Sequence, residues 1–394
     1  MLHRFSFSNF QSFRDRVEVS WQLDQRNASS GWAAQSASGE LLSIVMAVIG
    51  ANASGKTGLL KPVVFMHWFI SQSFHAEPAA PLPFAPHPTA EDHPFEFEAE
   101  FDFEGQLWRY TLRATPQRVL HEALYLKRQR MGYVFVRDWD ASKKAYVIKQ
   151  QDFGFTPSEA AKVRPNASLI ATAAQYGVPL ALRLTAPYVW TNIHQFGRVT
   201  PDNNQLLAAA QHFAGHDAHR VGMARLLGGW DLGLSDVQLR EFEVTSNDDT
   251  RQKLWRPYGF HTLRDGSSFA LDFAQESSGT QSAFVLLSRL LPVLESGGLA
   301  VIDEFENDLH PHMLEPILDL FANPQTNPHH AQLLMTCHAM EVLNILNKSQ
   351  VMLVEKNEHN ESSAWRLDSM EGVRNDHNYY AKYMAGAYGA VPQL

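Results

Sequence analysis

The chain has 394 residues, 45% hydrophobic and 19% charged, the composition of an ordinary globular protein with length for one or two domains and a sizeable core. Its 33 basic residues stand against 42 acidic ones, a formal net charge of -9, which excludes a histone-like basic coat for DNA but not a local basic patch. The single cysteine, Cys337, excludes a disulfide framework and a four-cysteine zinc site and points to a reducing, cytoplasmic setting.

No apolar run reaches the roughly eighteen residues a membrane helix needs, so no membrane span is expected. Met1 to Phe7 alternates like a strand and carries no cleavage pattern, so no signal peptide is expected. Residues 2–24 read as two strands, with Leu2, Phe5 and Phe7 alternating before a turn at 9–13 and Val17, Val19 and Trp21 alternating after it. A polar loop over 25–40 leads to a near-continuous apolar strand from Leu41 to Ile49, then a glycine-rich turn and an apolar helix over about 56–74. The prolines between 76 and 94 forbid a helix there and predict an exposed excursion. Phe95, Phe97, Ala99, Phe101 and Phe103 then alternate with acidic residues, and Glu104-Gly105 predicts a hairpin turn into 107–112. More strands to about 150 make an antiparallel sheet with one wet face. Residues 157–240 read as mainly helical, with breaks at Gly177, Pro201 and Gly228-Gly229, and 258–275 returns to strand. From 277 onward helix and buried strand alternate, the grammar of an α/β core.

Gly50-Ala51-Asn52-Ala53-Ser54-Gly55-Lys56-Thr57 fits the phosphate-binding loop pattern, after a buried strand and before a helix. Its glycines let successive backbone N–H groups face phosphates, and the helix N-terminus adds its dipole. The ATP-binding set is Gly50, Asn52, Ala53, Ser54, Gly55, Lys56, Thr57 and Gly58. Lys56 supplies a charge to the β- and γ-phosphates, and the Thr57 hydroxyl suits Mg²⁺. Such a loop needs a second carboxylate for the metal and a group to orient water. Asp303 and Glu304, at the end of the strand Leu299 to Ile302, supply them; alone, they would read as an acidic strand-end loop. Glu276-Ser277-Ser278-Gly279-Thr280-Gln281 opens an apolar helix, where Ser277 or Ser278 reads as an N-cap and the small residues as a further anion site. His338 follows one more apolar strand.

That order of motifs resembles the ATP-binding cassette superfamily. Ser277 and Gly279 match its signature loop, Asp303 and Glu304 its acidic pair, Asp308-Leu309-His310-Pro311 its D-loop and His338 its switch histidine. The resemblance implies an α/β fold with an ABC-type P-loop core, made of a mixed sheet and an antiparallel β subdomain, plus a helical region between the P-loop and the signature motif. It implies an ATP sandwich in which each nucleotide lies between one subunit's P-loop and another's Ser277 and Gly279. His338 would sense the γ-phosphate. The expected division is 1–156, 157–257 and 258–394.

The opening Phe7-Ser8-Asn9-Phe10-Gln11-Ser12-Phe13 is similar to that of SMC, RecF and OLD-like ATPases, and Asp303 to Pro311 resembles the D-E-x-E-x-x-L-H-P of the OLD-like branch. The tail Tyr383 to Pro392 resembles the C-terminus of abortive-infection ATPases of the RloA or AbiL kind, which act against phage. The likeness covers roughly 1–74 and 258–394. No heptads run between Gly50 and Ser277, so SMC-type arms are not expected. The stretch after His338 is too short for the TOPRIM nuclease of OLD proteins, so an effector such as a separate nuclease is the expected partner. The alternative is a RecF-like repair ATPase acting on DNA. A non-hydrolysing ATP switch and a transporter cassette are further rivals, which Glu304 and the N-terminal motif disfavour respectively.

Asp138-Trp139-Asp140 reads as a solvated turn, as does Lys127-Arg128-Gln129-Arg130, with DNA contact the alternative for the latter. His312, His329 and His330 read as surface residues without metal-ligand spacing. Gln150 and Gln151 are weak candidates for a nucleotide-sensing glutamine.

Overall fold

The computed structural model describes residues 1–23, 31–194, 197–199, 202–245, 251–306 and 309–391. It opens with β1 (Leu2–Ser8) and β2 (Val17–Ser20), then β3 (Ala33–Gln35), β4 (Leu41–Ser43), β5 (Val45–Gly50) and α1 (Lys56–Gln72). A meander follows: β6 (Phe95–Phe103), β7 (Gln106–Thr115), β8 (Arg118–Lys127), β9 (Met131–Asp140) and β10 (Ala145–Gln150). Next come α2 (Pro157–Ala160), α3 (Leu169–Gln175), α4 (Pro179–Thr185), β11 (Val189–Thr191), β12 (Ile193–His194) and β13 (Gly197–Arg198). The chain continues through α5 (Asn203–Gly215), α6 (Asp217–Gly229), β14 (Asp236–Thr245), β15 (Arg251–Thr262) and β16 (Ser268–Asp272). It ends with α7 (Ser278–Ser296), β17 (Leu299–Ile302), α8 (Leu314–Ala322), β18 (Gln332–Thr336), β19 (Val351–Lys356), β20 (Ser362–Arg366) and α9 (Tyr379–Met384).

Among the described residues, two sheets carry the fold. The first is antiparallel, in the order β10-β9-β8-β7-β6-β1-β2. The second runs β11-β17-β18-β5-β19-β20, parallel from β11 to β19 with β20 antiparallel at its edge. Every residue of β5 is buried, as a strand covered on both faces must be. Its side chains alternate between two cores. Met46 and Val48 join the core shared with α1 and the antiparallel sheet, whereas Val45, Ala47 and Ile49 join the core built with α5 to α8. The Ile44 position divides β4 from β5, so the expected strand from Leu41 to Ile49 is two strands.

The wet face of the antiparallel sheet is an ion-pair ladder. Glu100 in β6 accepts from Arg4 Nε at 2.9 Å and lies 2.7 Å from Arg109 Nη2, and these partners allow an acidic residue to be buried. The turn at Glu104-Gly105 joins β6 to β7 as expected, with Phe103 opposite Gln106. Asp140 accepts from Ser142 and Lys143 across the β9–β10 turn, and these bonds hold its carboxyl down to about 2. Only Asp140 of Asp138-Trp139-Asp140 serves the turn; Asp138 and Trp139 lie within β9, paired to β10, and Asp138 lies 2.7 Å from His121 Nδ1, so the turn reading is corrected for those two.

The middle of the chain departs from a mainly helical reading. β11 pairs with β17 as the edge strand of the parallel sheet, Trp190 opposite Ala300. Three residues have no periodicity to reveal them, and pairing decides their state. β14 begins at Asp236 and pairs with β15 along its length, and the expected boundary at 257 falls inside β15. Gly228-Gly229 does end α6, and Gly177 separates α3 from α4. The expected break at Pro201 lies outside the described residues.

Candidate functional site

The P-loop spans the end of β5 and the start of α1. A side-chain carbon at Gly50 would lie 2.2 Å from the Val354 carbonyl oxygen, so the loop passes β19 too closely for any other residue. Gly55 sits at φ 113° and starts α1 without a side-chain cap, which leaves the first helical N–H groups directed at the loop. The opening motif braces this loop. The Ser362 hydroxyl donates to the Ser54 carbonyl at 2.6 Å and lies 2.8 Å from the Ser12 hydroxyl, and its own N–H donates to Ser12 O at 2.7 Å. Asn9 donates to Ala90 O and His93 O at 2.9 and 2.6 Å, tying down the proline-rich excursion. Gly58 faces Gln11 and Phe13 from the first turn of α1.

A cleft of about 880 Å³ opens on the loop. Asn52, Ala53, Gly55, Lys56 and Thr57 line one side, and Asp303, Glu304, Glu306, His338 and Lys356 line the other. Lys56 Nζ donates to Gly50 O and Ala51 O, both at 2.9 Å. Burial pushes its ammonium below the ordinary lysine range, and Asp303, Glu306 and Glu304 pull it back up. The Thr57 hydroxyl lies 3.0 and 2.9 Å from the two oxygens of Asp303. Thr336 Oγ1 donates to Asp303 Oδ1 at 2.8 Å and accepts the Glu304 N–H at 2.7 Å. A hydroxyl and a carboxylate beside a backbone cradle form the hard-oxygen donor set that suits Mg²⁺ with phosphate. The residues therefore fit the metal and nucleotide implied by the sequence.

Glu304 has φ 49°, in the left-handed region where a long side chain rarely sits. Its Oε1 lies 4.0 Å from His338 Nε2, and its Oε2 lies 3.1 Å from Arg198 Nε. The His338 N–H donates to Glu306 Oε1 at 2.5 Å. Burial pushes the neighbouring Cys337 thiol up, so it stays protonated at neutral pH.

The structure thus brings Asn52, Ala53, Gly55, Lys56, Thr57, Asp303, Glu304 and His338 to one cleft. Gly50 and Ser54 form the loop behind it, and Gly58 supports its helix. Ser277 and Gly279 do not line the cleft. Ser277 caps α7, accepting the Thr280 N–H at 3.2 Å, and its side chain is exposed. Of the expected D-loop, Asp308 lies outside the described residues, and Leu309 is buried. Gln150 ends β10 and neither it nor Gln151 lines the cleft. Sequence reasoning gave no role to Thr336, Glu306, Lys356, Asn192 or Arg198. Glu306 and Thr336 lie inside motifs that were read, whereas Arg198 carried no local signal.

The deciding comparison is with protein families: a model described as "AAA domain, putative AbiEii toxin, Type IV TA system" matches residues 45–344. The chain belongs to this AAA domain family. The match runs from the first residue of β5 through the P-loop and the Asp303-Glu304 pair to past His338. No curated protein matches the chain. Among solved structures, the SMC head domain from Thermotoga maritima is similar over 93% of this chain and 98% of its own, at 12% identity and a TM-score of 0.45. This AAA domain protein has the α/β architecture expected of it, a mixed sheet bearing the P-loop and an antiparallel β subdomain beside it. No described helix is long and apolar enough to cross a membrane.

Proposed function

We propose that this protein is an ATP-hydrolysing regulatory subunit of a bacterial anti-phage, abortive-infection system, controlling a separate toxic effector through an ATP-sandwich dimer. The observation that carries the reading is the meeting of Lys56, Thr57, Asp303 and Glu304 in one cleft, with Thr57 and Asp303 in direct contact. Lys56 and the P-loop N–H groups would hold the β- and γ-phosphates. Thr57 and Asp303 would hold Mg²⁺, which neutralises phosphate charge. Glu304 would accept a hydrogen bond from the attacking water. The water oxygen would then bond to the γ-phosphorus as the bond to the bridging oxygen breaks, its proton passing to Glu304 and on to the released phosphate, leaving ADP and phosphate. His338 would read the γ-phosphate from beside Glu304.

One wall of such a site is missing within a single chain. Ser277 sits exposed and Gly279 half-buried at the start of α7, where a second copy would offer them to the nucleotide. The nucleotide would then act as glue, and hydrolysis would part the subunits. The OLD-like, RloA or AbiL branch is supported by Glu306, His310 and the tail, and the family's type IV toxin–antitoxin description favours a separate effector. A phage product would supply the trigger. The lone buried Cys337 fits a reducing cytoplasm.

Recovery of the tagged Glu304→Gln protein from its native host in Mg-ATP tests this reading. Co-purification of a nuclease or other toxic enzyme, absent with Lys56→Ala, supports it. Recovery of DNA and recombination proteins instead, with steep loss at higher salt, supports a RecF/SMC-like repair ATPase.

A further inference from the structure

Glu304 is a partition between two cavities. On one side lies the nucleotide cleft, and on the other a cavity of about 270 Å³ lined by Asn192 and Arg198. Arg198 does not line the nucleotide cleft, yet its Nε reaches Glu304 Oε2 at 3.1 Å from the far side. The Arg198 side chain is 19% exposed and that of Glu304 41%, so the arginine half of the pair is held away from solvent while the carboxylate stays accessible. The opposite oxygen, Oε1, is the one on the His338 side, 4.0 Å from Nε2.

The same short segment fixes the backbone under that side chain. β11 runs parallel to β17, Thr191 opposite Val301. Asn192 then brackets Asp303, donating from Nδ2 to its carbonyl and accepting its N–H at Oδ1, both at 2.8 Å. Thr336 holds the next N–H, that of Glu304, at 2.7 Å. These bonds over-determine a turn whose φ of 49° a glutamate would not choose by itself.

We propose that Arg198 is a positioning residue for ATP hydrolysis. It ties down Oε2 so that Oε1 faces the water that attacks the γ-phosphorus, while Asn192 sets the turn that carries both acidic residues. The proposal rests on reading Glu304 as the group that orients this water. A glutamate has several rotatable bonds, and unanchored it spends little time in one geometry. A carboxylate held at one oxygen presents the other as a directed acceptor. The segment from β11 to β13 thereby becomes part of the hydrolytic machinery, although it lies far in sequence from both ATP motifs.

Steady-state turnover and Mg-ATP affinity, measured for wild type, Arg198→Ala, Arg198→Lys and Asn192→Ala, test the proposal. Arg198→Ala is expected to lower kcat by roughly 10- to 100-fold while nucleotide affinity stays within about twofold. Arg198→Lys restores part of the loss, because it keeps a cation without the planar fork. Asn192→Ala lowers kcat in the same sense. If Arg198→Ala is unfolded by circular dichroism, Arg198→Gln replaces it. An Arg198 variant with unchanged or raised kcat, or with affinity falling in step with kcat, overturns the proposal alone. A wild-type protein that binds Mg-ATP without turning it over removes the reading of Glu304 and the proposal with it.

Discussion

The Thr57 hydroxyl sits 3.0 and 2.9 Å from the two carboxylate oxygens of Asp303, across 246 residues of chain. The contact joins the helix after the P-loop to the end of β17, and it places two oxygen ligands where a phosphate-bound cation belongs. Lys56 approaches the same cleft from the neighbouring position. Substitution Lys56→Ala is therefore expected to abolish nucleotide binding. In a thermal-shift assay the wild type gains stability with rising Mg-ATP by mass action, and the variant gains none.

Glu304→Gln keeps the shape of the side chain and removes its charge. The variant is expected to bind Mg-ATP and hold it, so that light scattering after gel filtration shows a species larger than the nucleotide-free form. A mass unchanged by Mg-ATP, in a protein that is monomeric without it, would count against the composite site.

Thr336→Val removes the hydroxyl that serves both Asp303 and the Glu304 N–H. A buried donor left without a partner costs about 1–3 kcal/mol. Chemical denaturation is expected to show a loss in that range. Turnover is expected to fall by more than this stability loss explains, because the acidic turn shifts.

Arg137 and Glu122 form a fully buried ion pair at 3.3 Å beneath the antiparallel sheet. Arg137 also donates to Ala167 O at 2.7 Å and Arg164 O at 2.8 Å, and Glu122 accepts from Ser168 at 2.7 Å and from Tyr110 at 3.0 Å. Removing one partner of such a pair leaves a charge buried without compensation. Arg137→Ala is expected to cost about 3–5 kcal/mol in denaturant titration, far from the nucleotide cleft.

Burial, with His216 and His219 nearby, lowers His212 to about 4. Its Nε2 lies 3.0 Å from His219 Nδ1 between α5 and α6. The folded state favours neutral His212, so the unfolded chain binds more protons between about 6.5 and about 4. Stability from this group is fully present above about 6.5 and declines as pH falls toward about 4. A His212→Gln variant is expected to show a shallower loss of melting temperature across that window.

The nucleotide machinery was legible because its chemistry is local: Gly50 to Thr57 and the pair Asp303-Glu304 each declare themselves within a few residues. The N-terminal motif was legible as a likeness, and its physical reason lies in Ser12, which Ser362 ties to the P-loop. Arg198 and Asn192 were not legible. Asn192 meets Asp303 across 111 residues, and β11 has only three residues with which to show a pattern. β15 also holds Pro257 within the strand, opposite Leu239, where a proline ordinarily argues against pairing. Tertiary contact, not periodicity, decides such segments.

The shared site is tested most directly by mixing two inactive proteins. Lys56→Ala lacks the phosphate lysine but keeps Ser277 and Gly279, and Gly279→Asp keeps the P-loop but blocks the opposing surface. A sandwich dimer predicts that the mixture hydrolyses Mg-ATP although neither protein does alone, because each mixed pair contains one intact site. A mixture whose rate stays at the sum of its inactive components, beside an active wild type, would contradict a nucleotide shared between two copies of this chain.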